Sequence, residues 1–205
     1  MPRLTPLSRE ALAEFEPAFR MIEEAVGMLP NSMLTMGHWP ELLRAFNGLV
    51  GTIQAGGQLP RELKQLVAFV SSNASGCRYC QAHTSHVAER IGTPLEKIDA
   101  AFEFDTSPLF SEAERAALRL ARDASLVPNA VEDDHFAELR KHYSDEQIVE
   151  LVAQISLFGW LNRWNDSMAT TLEAGPRSFA TRALAGHGWE VGKHGESGAT
   201  QGSDA

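Results

Sequence analysis

Cationic clusters, long apolar runs and alternating apolar–polar runs are all missing from this sequence. The 205 residues include 18 Lys and Arg against 27 Asp and Glu, a net charge of −9. A surface of that sign repels a polyanion, so nucleic acid is not an expected partner. No apolar stretch approaches the roughly 20 residues of a membrane-crossing helix, so no membrane partner is expected. The opening "MPRLTPLSREALAEFEPAF" lacks the basic start and apolar block of a secretory leader, and a cytoplasmic location is the expectation. Cysteine is scarce as well: Cys77 and Cys80 are the two the chain has. In a reducing cytosol such a close pair is more often catalytic or metal-binding than a structural staple. A disulfide between them would close too small a loop to restrain the unfolded chain much.

What is present is helical periodicity, with 43% apolar residues to fill a core. "LSREALAEFEPAFRMIEEAVG" starts at the capping residue Ser8 and stops at Gly27, with Pro17 starting a fresh turn. Pro40 opens a segment that Gly56-Gly57 closes. Leu63, Leu66, Val67 and Val70 form an apolar stripe on the next. Gly76 separates that helix from one over about Arg78 to Ile91. Ser111 with Glu114, and Ser144 with Gln147, have the spacing of capping boxes. The long segment that starts at Ser144 reads as one helix through "TTLEAG", bent at Gly159. In its stretch "WLNRWNDSM" the expected arrangement is Trp in the core and polar residues at the surface. The fold class is all-α, a compact multi-helix bundle: one domain over residues 1–188, then a flexible polar tail over 189–205.

The chemistry concentrates in "SGCRYCQAHTSHVAER". Cys80 falls in the first turn of its helix, where free N–H groups and the helix dipole favour a thiolate, so its pKa is expected to be lowered. Cys77 precedes it and can attack a sulfur oxidised at Cys80. His83 is a helical neighbour of Cys80, placed to move a proton, and Thr84 borders the same residue. Zinc would have to use Cys77, Cys80, His83 and His86, three of which share one helix in an awkward arc, so no metal is expected. A c-type haem needs His where Gln81 stands, and a thioredoxin fold needs a βαβ context that is missing. Two buried cysteines without chemistry are the remaining possibility.

In this helical context the segment "RELKQLVAFVSSNASGCRYCQAHTSHVAERIG" resembles the carboxymuconolactone decarboxylase superfamily, in its alkylhydroperoxidase D-like branch. Weaker similarity runs through "FSEAERAALRLARDAS" and "SDEQIVELVAQISLFGWLNRWN". The resemblance implies a thiol-dependent peroxidase in which Cys80 attacks a hydroperoxide and Cys77 resolves it. It implies an unidentified dithiol reductant, no cofactor, and a homotrimer or homohexamer. Two positions depart from the family pattern. Its Glu, twelve residues before the first cysteine, is Gln65 here, with Glu62 one turn earlier on the same face. Its His, four residues after the second cysteine, is Thr84, and His83 is displaced by one. Two other readings stand beside this one: a cofactor-free lactone decarboxylase-like lyase, which needs no thiol, and a non-catalytic redox-sensing protein.

Overall fold

The periodic segments close into ten α-helices among residues 2–195, the part of the chain that the computed structural model describes. They are α1 (Glu16–Val26), α2 (Asn31–Met36), α3 (Pro40–Ala55), α4 (Arg61–Ala74), α5 (Arg78–Arg90), α6 (Leu95–Ala100), α7 (Glu112–Ala124), α8 (Asp133–Leu139), α9 (Asp145–Met168) and α10 (Ala174–Ala183). Short 3-10 turns join some of them, and no strand occurs among the described residues. None of these helices is long and apolar enough to cross a membrane. The all-α expectation matches this architecture.

Helix α4 is the axis of the molecule. Every residue from Leu63 to Ser72 is buried, because α5, α7 and α9 pack around it. A helix enclosed in this way must satisfy its polar side chains internally. Lys64 does so by donating to the carbonyls of Ile53 (2.9 Å) and Gly56 (2.6 Å) and by pairing with Glu150. One apolar cluster joins α4, α5, α7 and α9; a second joins α1, α2 and α3 to Leu157 on α9.

Both capping boxes form, at Ser111–Glu114 and Ser144–Gln147. Three sequence expectations need correction. Helix α9 runs continuously through Gly159. It ends earlier than its periodicity suggests, at Ala169, which takes a left-handed conformation (φ 48°) without being glycine. That stop frees Glu173 to become the N-cap residue of α10. Residues 189–195 of the expected tail include packed ones: Trp189 and His194 are buried, and Leu172 N–H donates to the His194 carbonyl at 2.8 Å. The rest of the expected tail, residues 196–205, lies outside the described residues.

Candidate active site

The cysteine pair is placed by the turn between α4 and α5. Gly76 adopts φ +70°, and the Cys77 N–H closes back onto the Ser72 carbonyl at 3.2 Å. This six-residue closure ends α4 in a Schellman-type turn. It leaves Cys77 as the N-cap residue of α5, with Cys80 one turn into the helix. Both thiols are free and buried.

This placement reverses the expected order of acidity. An N-cap side chain, rather than one three residues later, lies over the free N–H groups of the first turn. The backbone amides of Tyr79 and Cys80 point toward the Cys77 sulfur without closing a strict capping bond. The Cys77 thiol is held below its ordinary value, first by the hydrogen bond from the Cys80 side chain and then by those amides, against the cost of burial. Burial pushes the Cys80 thiol well up, and its role as donor to Cys77 adds to that. Asn165 on α9 partly offsets this by donating to the Cys80 sulfur at 3.5 Å.

Access divides the two sulfurs in the other direction. Cys80 lines a cavity of about 620 Å³ bounded by α1, α2, α3, α4, α5 and α9, whereas Cys77 does not reach it. The walls are largely apolar, with Met33, Phe46, Val50, Phe158 and Leu161 among them. Tyr79, His83, Gln65 and Gln54 supply polar groups. The rings of Tyr79 and His83 stack at 4.4 Å.

Glu173 organises this edge of the cavity. Its carboxylate accepts from His83 Nε2 (2.5 Å), from the Tyr79 hydroxyl (2.8 Å) and from the Asn31 N–H (2.5 Å). Burial works to raise its pKa, but the facing His83 and the N–H donors outweigh burial and hold it below the ordinary carboxylate range. The Tyr79 hydroxyl is pushed well above its ordinary value by burial and by the adjacent Glu173 charge.

The structure brings Cys77, Cys80, His83 and Gln65 together and leaves Glu62 out. Glu62 pairs with Lys97 at 2.9 Å, is 42% exposed and does not line the cavity. The Gln65 amide donates to Gln54 at 3.4 Å, and Gln54 in turn donates to Gln154 at 2.9 Å. Thr84 donates its hydroxyl to the Cys80 carbonyl at 2.7 Å rather than to the sulfur. In "WLNRWNDSM" the expected division is inverted: Asn162 and Asn165 are buried, while Trp160 and Trp164 are half-buried. Sequence reading misses Glu173, Tyr79 and Asn165. The only local signal was Glu173 preceding Ala174-Gly175-Pro176, a helix-start pattern hidden by the apparent continuity of α9.

Residues 40–123 match the carboxymuconolactone decarboxylase family. The chain is 32% identical over 107 residues to the uncharacterized protein YdfG of Bacillus subtilis, spanning 51% of this chain and 70% of YdfG. Its structure is similar to that of the debrominase Bmp8 in apo form, with 46% identity and a TM-score of 0.81 over 85% of this chain and 94% of the other. It is similar also to a cysteine-to-alanine variant of that debrominase in complex with 2,3,4-tribromopyrrole, with 43% identity and a TM-score of 0.85 over 89% of this chain and 100% of the other. A peroxidase-related, uncharacterized protein from a Silicibacter species shares the fold at 20% identity, with a TM-score of 0.75 over 84% of this chain and 92% of that one.

Proposed function

This chain belongs to the carboxymuconolactone decarboxylase family and has the alkylhydroperoxidase D-like fold; from that premise we propose that it is a dithiol-dependent reductase of small apolar substrates, with Cys80 as nucleophile and Cys77 as resolving thiol. One observation carries the reading: Cys80 stands on the wall of an apolar cavity, and its partner sulfur lies behind it. A lactone decarboxylase-like lyase would have no use for that arrangement. A redox sensor without turnover would have no use for a cavity.

We favour a halogenated heteroaromatic ring as the substrate class. A planar apolar ring suits a cavity of about 620 Å³ with aromatic and aliphatic walls, and the similarity to a debrominase points the same way. The chemistry balances with the two thiols as the electron source. The Cys80 thiolate takes the halogen from carbon, leaving the bonding pair on the ring. The ring carbon takes a proton; His83, whose Nε2–H is given to Glu173, delivers it from Nδ1 after first taking one up there. Cys77 as thiolate attacks the Cys80 sulfur, halide leaves, and the disulfide forms. An external dithiol then restores the pair. The proton of Cys80 must leave first; the Cys77 sulfur hydrogen-bonded to it is the acceptor at hand, and Cys77 gives that proton up to water before it attacks.

The hydroperoxide reading uses the same residues. Cys80 would take the distal oxygen, the alkoxide would take the proton, and Cys77 would expel hydroxide from the sulfenic acid. The cysteine pair itself favours it, because the sulfur chemistry is unchanged. Gln65 weakens it, because the carboxylate expected in a peroxidase relay is an amide here.

Single-turnover reactions of reduced protein separate these readings. The reductase with a halogenated substrate releases one bromide from a brominated pyrrole for each disulfide formed, and Cys80→Ser releases none. Consumption of cumene hydroperoxide without bromide release moves the assignment to the peroxidase. Thiols that stay reduced with both reagents overturn the proposal.

A further inference from the structure

A second cluster of chemistry-bearing side chains lies at the cysteine pair but off the cavity. Cys77 Sγ, an Asp166 carboxylate oxygen and a ring nitrogen of His194 lie within 4.8 Å of one another. None of the three residues lines the cavity of Cys80. We propose that they form a binding site for Zn²⁺, which holds Cys77 as a thiolate and so blocks disulfide formation reversibly.

The His194 ring decides between a proton relay and a metal site. Its Nδ1 faces the Thr170 carbonyl at 2.8 Å, so Nδ1 carries the hydrogen and Nε2 presents a lone pair. His194 is 1% exposed, and Nε2 has no hydrogen-bond partner. In a proton relay the orienting carboxylate sits on the ring nitrogen remote from the sulfur. Here a carbonyl takes that place, and Asp166 Oδ1 faces Nε2 itself at 3.6 Å. The lone pair and the carboxylate oxygen thus face each other with no donor between them, beside the Cys77 sulfur.

A divalent cation resolves that convergence. Two ligands at about 2.0 Å from a tetrahedral ion lie about 3.3 Å apart, close to the observed nitrogen–oxygen separation. Sulfur, imidazole and carboxylate together are a donor set of borderline softness that suits Zn²⁺. The Nδ1–H···O=C bond is the outer-shell contact that fixes a metal-ligating imidazole. Lys193 bonds to the other Asp166 oxygen, Oδ2, at 2.7 Å and leaves Oδ1 available. The Asp166 side chain is 45% exposed and gives an ion a way in. Neither His83 nor His86 of the ligand set that the sequence suggests takes part: His83 is held by Glu173, and His86 packs against Phe179.

The site also couples metal to redox state. The sulfur that binds Zn²⁺ is the one that must close the disulfide, so each event excludes the other. This holds whichever substrate Cys80 attacks.

The test uses the whole chain, freed of metal by a chelator and titrated anaerobically with Zn²⁺, and with Co²⁺ as a spectroscopic probe. Reduced protein is expected to bind one equivalent, with a sulfur-to-cobalt charge-transfer band and the visible bands of a four-coordinate ion. Disulfide-bonded protein is expected to bind none. His194→Gln and the more exposed Asp166→Asn are each expected to weaken binding at least about 100-fold, with helical circular dichroism unchanged. Cys80→Ser keeps all three ligands and is expected to retain the charge-transfer band. Loss of binding in Cys80→Ser with retention in His194→Gln and Asp166→Asn would assign the metal to the two thiols alone and overturn the proposal. So would failure of reduced wild-type protein to bind either ion.

Discussion

Replacing Glu173 by Gln perturbs the residue on which three donors converge, and the two carboxylate oxygens divide the consequences. Oε1 accepts from Asn31 N–H and Tyr79 O–H, and Oε2 from His83 Nε2. A glutamine can place its carbonyl where Oε1 lies and keep the first two bonds. Its NH₂ then faces His83 Nε2, which must change from donor to acceptor, so the imidazole changes tautomer. Hydrogen bonds to a charged group contribute about 1.5–3 kcal/mol and neutral ones about 0.5–1.5. Two bonds weakened in that way and one remade with reversed polarity cost about 2–3 kcal/mol, or about 4–12 °C in Tm for a domain of this size. The loss has a defined pH dependence. Because the folded Glu173 pKa is depressed, its contribution is complete above the unfolded value, about 4.3, and is lost as pH falls through the folded value. The stability gap between wild type and variant is therefore flat near neutral pH and closes in acid. Catalysis suffers more than folding: with the ring in the wrong tautomer, proton delivery is expected to fall about 100-fold or more. Thermal unfolding across pH, ¹⁵N chemical shifts of the His83 ring and single-turnover rates measure the three effects. A variant with the wild-type tautomer and the wild-type rate would refute the role assigned to this pair.

The other predictions concern the thiols, the buried lysine and assembly. In metal-free protein Cys77→Ser should still consume one equivalent of oxidising substrate at Cys80, but at least about tenfold more slowly at neutral pH, because the remaining thiol keeps a raised pKa and loses its proton acceptor; stopped-flow rates against pH check this, and an unchanged rate would sink it. Mass spectrometry should find sulfenic acid or an adduct at Cys80 in that variant, and almost no substrate consumption in Cys80→Ser. Lys64→Met should destabilise the fold by about 3–5 kcal/mol, because it leaves Glu150 as a mostly buried charge held only by the Gln58 and Leu59 amides; adding Glu150→Gln should recover part of the loss in denaturant titrations. Exposed Val149 (67%), Leu49 (51%) and Val152 (40%) remain for a second chain to cover, and sedimentation should find a trimer or hexamer, which a stable monomer at micromolar concentration would exclude.

The helices were legible because their signals are local. Capping boxes at Ser111 and Ser144, a glycine at Gly76 and the stripe along Leu63–Val70 each act within one turn or one face. The site was legible only as far as it is local. Cys77, Cys80 and His83 share one short segment, and the sequence placed them together. Glu173 meets His83 across 90 positions, and no spacing rule reaches that far. It was hidden further by Ala169, which ends α9 in a left-handed conformation that glycine ordinarily marks. Glu62 failed for the opposite reason. It shares a helix with Gln65, but Lys97 holds it away from the cavity, and one-turn spacing cannot foresee a competing ion pair from another helix.

The cysteine pair shows that a helix start read correctly, at Arg78, can still be given the wrong chemistry. With Cys77 taken as lying before the helix, the dipole and the free amides were credited to Cys80. With Cys77 as the N-cap residue, they act on Cys77. Acidity and access then belong to different sulfurs: Cys77 is the more acidic thiol and Cys80 faces the cavity. The two requirements of a dithiol reductase are met by that separation. Burial raises the Cys80 pKa and favours its thiol form, while the sulfur that ionises more readily, Cys77, lies where the cavity does not reach. Passing the Cys80 proton to Cys77 generates the nucleophile at the substrate. Resolution requires Cys77 to lose that proton again, so an acceptor must stand near it. Asp166 and His194 are the groups that flank it. Asp166 is half-exposed and opens that edge to water, so the proton leaves there when no metal is bound.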